Sequence, residues 1–114
     1  MINHLLNLPQ IYIFKIMDKV YVIRYRAHEF DDLGLDSFDP IFISFDKSKV
    51  QEKFEKIKQN KINHLNQTLK DYFDGVENED YRVEENTEDK FELWMGNWCY
   101  EYYIEEYPLD IDIY

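Results

Sequence analysis

Phe91-Glu92-Leu93-Trp94-Met95-Gly96-Asn97-Trp98-Cys99-Tyr100-Glu101-Tyr102 is the stretch that decides the fold. Two runs rich in aromatic and aliphatic residues flank a Gly-Asn pair, and a Gly-X dipeptide between such runs signals a two-residue hairpin of type II′. The chain therefore doubles back on itself here. The second run continues through Tyr103-Ile104-Glu105-Glu106-Tyr107 and stops at Pro108, which has no N–H to give to a ladder.

Working upstream, Tyr81 to Glu85 and Lys90 to Met95 read as strands around a turn at 86–89, and Glu77-Asn78-Glu79-Asp80 reads as a polar turn. Gly75 is a natural helix stop. Before it, Val50, Phe54, Ile57, Ile62, Leu65, Leu69 and Phe73 form an apolar stripe at helical spacing, with a five-residue phase slip between Ile57 and Ile62. One long helix with a distortion, or two helices broken near Gln59-Asn60, satisfies that pattern. Asp46 or Ser48 offers the N-cap oxygen, and Ser48 with Gln51 matches a capping box. The seven lysines at 47, 49, 53, 56, 58, 61 and 70 lie largely off the stripe and read as a solvated face.

Two further strands precede the helix. Val20-Tyr21-Val22-Ile23-Arg24-Tyr25-Arg26 turns alternating toward its end, as a strand with one buried face does. Ile41-Phe42-Ile43-Ser44-Phe45 is apolar almost throughout, which predicts a central position in the sheet. The order strand, strand, helix, strand, strand, strand predicts an α+β fold: an antiparallel sheet of about five strands with one long helix, continuous or broken, packed on one face. Residues 17–114 make a single domain, and 1–16 an N-terminal extension or added edge strand.

Charge is distributed unevenly. Residues 1–46 hold four basic and seven acidic side chains, 47–70 seven and two, and 71–114 two and fifteen, for a net −11. A potential that negative disfavours direct contact with nucleic acid or anionic lipid and speeds encounter with basic proteins. The single cysteine, Cys99, cannot close an intramolecular disulfide; it reads as a small buried strand residue in a reducing compartment. The first sixteen residues lack a basic n-region and a cleavage site, and their apolar runs are too short for a span. The expectation is a cytoplasmic protein with no membrane contact.

Catalytic chemistry finds no support. His4, His28 and His64 are too scattered for a metal motif, and Asp31, Asp32, Asp36 and Asp39 lack the alternation and central glycine of a calcium loop. Carboxylate pairs are so frequent that none stands out, and three glycines leave little room for a phosphate-binding loop. No catalytic residue, metal ligand or cofactor is assigned, and a non-enzyme is expected.

Three segments in combination resemble a family of small bacterial α+β domains of uncharacterised role: Lys19-Val20-Tyr21-Val22-Ile23, Ile41-Phe42-Ile43-Ser44-Phe45-Asp46-Lys47-Ser48-Lys49, and Tyr103-Ile104-Glu105-Glu106-Tyr107-Pro108-Leu109-Asp110. In size and charge the chain is similar to bacterial toxin-immunity proteins. With the acidic, Tyr-rich C-terminal strands, this points to an immunity protein that neutralises a nuclease toxin by covering its basic substrate surface. Carboxylates would stand where phosphates sit, and rigid rings would supply contact area. The expected partner-binding residues are Glu84, Glu85, Trp98, Glu101, Tyr103, Glu105, Glu106 and Asp110. Two rivals use the same features: a phage anti-defence protein or DNA mimic that blocks a nucleic-acid-binding enzyme, and a non-enzymatic module that forms a homodimer through a strand edge or its charge dipole.

Overall fold

The computed structural model describes residues 19–29 and 38–108. The expected extension at 1–16, most of the loop before Pro40, and Asp110 lie outside them. Five strands and one helix follow in chain order: β1 (Lys19–Glu29), β2 (Asp39–Ser44), α1 (Lys47–Tyr72), β3 (Tyr81–Asn86), β4 (Lys90–Met95) and β5 (Trp98–Pro108). The strands form one antiparallel sheet in the order β2-β1-β5-β4-β3, with α1 packed on one face, an α+β arrangement.

The Gly96-Asn97 turn joins β4 to β5. Gly96 has φ of +67° while Asn97 does not share the positive sign, as type II′ requires and type I′ does not. A Cβ at Gly96 would also stand 3.3 Å from the Tyr81 hydroxyl. On the other side of β5, an eleven-residue ladder to β1 runs from Lys19 opposite Pro108 to Glu29 opposite Trp98. This ladder brings the two ends of the described chain into the middle of the sheet.

α1 is a single helix. Its N-cap is Asp46, whose Oδ1 accepts from the N–H of Ser48 at 2.9 Å and of Lys49 at 3.4 Å. At the other end the N–H groups of Phe73 and Gly75 both donate to the Leu69 carbonyl, at 2.8 and 2.9 Å, with Gly75 at φ of +76°. Val50, Phe54, Leu65 and Leu69 bury against Ile23, Phe91, Leu93 and Tyr102 to form the core. Each such side chain contributes roughly 1.5–3 kcal/mol by leaving water.

Two expectations are corrected. The phase slip is bridged by a lysine: Lys58 is buried on the core side of α1, so the seven lysines do not share one solvated face. Its Nζ donates to Asn86 Oδ1 at 3.0 Å and the Thr87 carbonyl at 2.8 Å and pairs with Glu55 at 3.0 Å, so all three ammonium hydrogens have partners. Its stem lies by the Phe54 ring, 5.0 Å from Nζ to centroid. A long aliphatic stem with a satisfied head does the work of an apolar residue there. The second correction concerns β2, which among the described strands lies at the edge of the sheet and not at its centre. Its continuous apolar run reflects exposure: Ile41, Ile43 and Phe45 remain 44%, 60% and 43% exposed, and only Phe42 packs on the core.

Replacing Lys58 with alanine removes three bonds and strands the Thr87 carbonyl and Asn86 side chain, so Lys58→Ala should cost about 1.5–3 kcal/mol. The check is the urea midpoint at unchanged slope. Lys56→Ala, which loses only an exposed pair to Glu52, should stay within about 0.5 kcal/mol of the parent.

Candidate functional site

Strand alternation sends one set of side chains to α1 and the other to the opposite face. Tyr21, Ile23, Tyr25, Phe91, Leu93, Tyr100, Tyr102 and Ile104 take the helix side. The opposite face carries Val22, Arg24, Arg26 and His28 of β1, Cys99, Glu101, Tyr103, Glu105 and Tyr107 of β5, Glu92 and Trp94 of β4, and Arg82 of β3. Register then stacks these residues into rows across the sheet. One row runs Glu85, Glu92, Glu101, Arg26; the next runs Arg82, Trp94, Cys99, His28.

Arginines of β1 answer the carboxylates of β5. Arg26 donates to Glu101 Oε2 from Nε at 2.8 Å and Nη2 at 2.6 Å, and Arg24 Nε donates to Glu105 Oε2 at 3.2 Å. Arg24 also donates to the Phe38 carbonyl and the Tyr107 hydroxyl, at 3.2 and 3.0 Å, while the Tyr103 hydroxyl donates to Glu105 Oε1 at 2.6 Å. Phe38 lies over this network, with the Arg26 guanidinium 4.4 Å from its ring centroid and the Tyr103 ring edge-on at 4.8 Å. Beside it, Phe38, Glu85, Lys90, Glu92, Glu101 and Tyr103 line a cleft of about 320 Å³.

The electrostatics follow from this placement. Burial, with Glu101 and Glu84 nearby, raises the Glu92 carboxyl above its ordinary range, although the Trp94 indole donates to it at 3.0 Å and works the other way. Burial beside Glu92 and Glu101 pushes the Cys99 thiol up to about 12, which makes a poor nucleophile of it at neutral pH. Glu84 and Glu85 sit at a bulge in β3, where both face away from α1. Glu84 pairs with Arg82 at 2.8 Å, whereas Glu85 makes no ion pair among the described residues. With Glu77, Glu79, Asp80, Glu88 and Asp89 in the turns at either end, β3 forms an exposed acidic edge.

Five of the eight residues expected from the sequence thus share one face: Glu84, Glu85, Glu101, Tyr103 and Glu105. Trp98 and Glu106 lie on the other side of β5; Trp98 is 43% exposed and Glu106 pairs with Lys19 at 3.5 Å. Asp110 lies outside the described residues. Sequence reasoning missed Arg24, Arg26 and His28. Their alternation along one strand is visible in the chain, but their partners lie 73 to 81 residues away. A ring nitrogen of His28, Cys99 Sγ and a carboxylate oxygen of Glu101 all fall within 4.8 Å of one another and are, among the described residues, the donors on this face placed to hold a metal ion. Among the described residues no helix is long and apolar enough to cross a membrane.

The raised Glu92 carboxyl fixes a sign. An acid whose folded value exceeds its unfolded one binds its proton more tightly in the folded state, so it subtracts stability as pH rises through that window and beyond. Glu92→Gln, which keeps an acceptor for Trp94 without the charge, should raise the urea midpoint near about pH 7 and lose that advantage near about pH 4.

No family profile matches the chain, and neither a curated protein nor a solved structure matches it significantly.

Proposed function

We propose that the protein is a non-catalytic inhibitor of the immunity type, which covers the basic substrate surface of a nuclease toxin in the cytoplasm. The observation that carries this reading is the sorting of carboxylates by partner. Glu101 and Glu105 are held by arginines of the same sheet, while Glu85 and the acids of the β3 turns have no such internal cation within the described ion pairs. Of these, Glu85 borders the cleft walled by Phe38 and Tyr103. Unpaired carboxylates steer a basic partner and meet its cations; the arginine-braced ones and the rings form a stiff floor that loses little entropy on docking. A DNA mimic acting on a host enzyme would use the same edge.

This reading moves the weight of the site toward β3. Charge reversal at Glu101, Glu105 or Glu84 would break an internal pair as well as any contact with a partner, so Glu85 and Glu88, which make no ion pair among the described residues, are the cleaner test. Calorimetric titration against a purified basic nuclease toxin domain that the protein inhibits should give an affinity about a hundredfold weaker for Glu85→Lys/Glu88→Lys than for the parent at low salt. The difference should shrink above roughly 0.15 M salt. Lys49→Glu, on the exposed side of α1, should leave affinity within a few-fold. Equal binding by the parent and the double variant would remove the β3 edge from the interface.

A second reading is favoured by β2, whose exposed Ile41 and Ile43 flank an edge free of charged side chains between Pro40 and Phe45. Natural edges of that composition invite pairing with another strand, here a second copy. Sedimentation at micromolar concentration should then report a dimer that Ile43→Lys converts to a monomer.

A further inference from the structure

We infer that His28, Cys99 and Glu101 form a binding site for one zinc ion on the helix-free face of the sheet. The inference stands apart from the proposed inhibitor role and rests on the β1–β5 register, which sets His28 directly opposite Cys99 and two residues from Glu101. The three donor atoms lie within 4.8 Å of one another, and His28 Nε2 is 3.2 Å from Glu101 Oε2. Zinc bonds of 2.0–2.3 Å place tetrahedral ligand atoms roughly 3.3–3.7 Å apart, so small side-chain rotations close the set.

The His28 ring carries the argument further. Its Nδ1 is 3.1 Å from the Glu29 carbonyl and its Nε2 is 3.2 Å from the Glu101 carboxylate, both oxygens only accept, and the neutral ring has one hydrogen for the two. With that hydrogen on Nδ1, Nε2 presents a lone pair to the carboxylate oxygen, and two acceptors at that distance need a positive charge between them. A proton or a metal ion supplies it. An Nδ1–H held by a backbone carbonyl is also the outer-shell bond that orients a ligating histidine. Arg26 fixes the Glu101 carboxylate with two bonds to Oε2, the oxygen that faces His28, so Glu101 would ligate through Oε1 after a small turn or share Oε2 with the guanidinium. Trp94 stands edge-on to His28 at 6.3 Å between centroids, and His28 and Cys99 are both buried, so the site is shielded from bulk water.

The donor set selects the metal class. A thiolate and an imidazole favour zinc over magnesium or calcium, which require oxygen ligands. The fourth position falls to water, since the convergent donors are His28, Cys99 and Glu101. Zinc displaces the Cys99 thiol proton to solvent as the Zn–S bond forms, and one thiolate with one carboxylate balances the two charges of the ion. The facing charged groups are Arg26 and Glu92, with Arg82 acting on Cys99 from β3.

Cobalt(II) reports the site directly. Metal-free wild-type protein titrated with cobalt should develop a thiolate-to-cobalt charge-transfer band and the intense visible bands of tetrahedral coordination. These should saturate at one equivalent and be abolished by zinc. Cys99 is the only cysteine, so the charge-transfer band identifies it without a variant. Zinc should also raise the thermal midpoint of the wild type, by mass action, and not that of Cys99→Ser. His28→Gln should weaken cobalt binding at least tenfold. Absence of a charge-transfer band in the wild type, or an identical spectrum from Cys99→Ser, would overturn the site. A wild-type His28 NMR signal that titrates with pH and ignores zinc would do the same, leaving a proton as the bridging charge.

Discussion

Eleven consecutive residue pairs join β1 to β5, and nearly everything else in the molecule is positioned by that ladder. It puts the two longest strands at the centre of the sheet, leaves β2 outside on one flank, and carries the β3–β4 hairpin on the other. On the helix side it assembles Ile23 and Tyr102 into the core with Phe54 and Leu65. On the opposite side it sets Arg24 and Arg26 within reach of Glu105 and Glu101, on strands whose sequence positions are far apart. A one-residue slip in this register would exchange the two faces, placing arginine and glutamate against α1.

The ladder also changes the meaning of the charge distribution. A chain with fifteen acids in its last forty-four residues suggests a uniformly negative end. Within the sheet, the acids of β5 meet cations from β1 and become part of a half-buried network, and the helix lysines take no share in that pairing among the described ion pairs. What stays without an ion pair among the described residues is Glu85 and the acids of the turns around β3. Ion pairs of this kind add modestly to stability, and their larger consequence is order: they hold carboxylates, rings and His28 in one arrangement that an approaching partner or ion meets already formed.

Much of the fold was legible because its signals are local. The Gly96-Asn97 turn, the Asp46 cap and the Gly75 stop each depend on a handful of neighbouring residues, and each appears where expected. Where reading by pattern failed, a residue behaved against its average. Lys58 was counted as polar, yet its stem fills the gap in the helix stripe and its ammonium group is fully bonded to the β3–β4 turn. The apolar run of Ile41 and Ile43 reads as a central strand, yet it lies at the edge of the described sheet. Periodicity reports the chemistry of side chains and is silent on which atoms will find partners.

The chain by itself determined the elements, their order, the α+β class and the excess of acid near the C-terminus, since these follow from spacing, turn chemistry and composition. Tertiary structure alone decided which strands are neighbours, and through that which charges are cancelled and which donors converge. His28 and Cys99 share a site only because antiparallel pairing matches positions seventy-one residues apart. Register across a sheet is set by the burial of one whole face, a global sum to which no single stretch of sequence holds the answer.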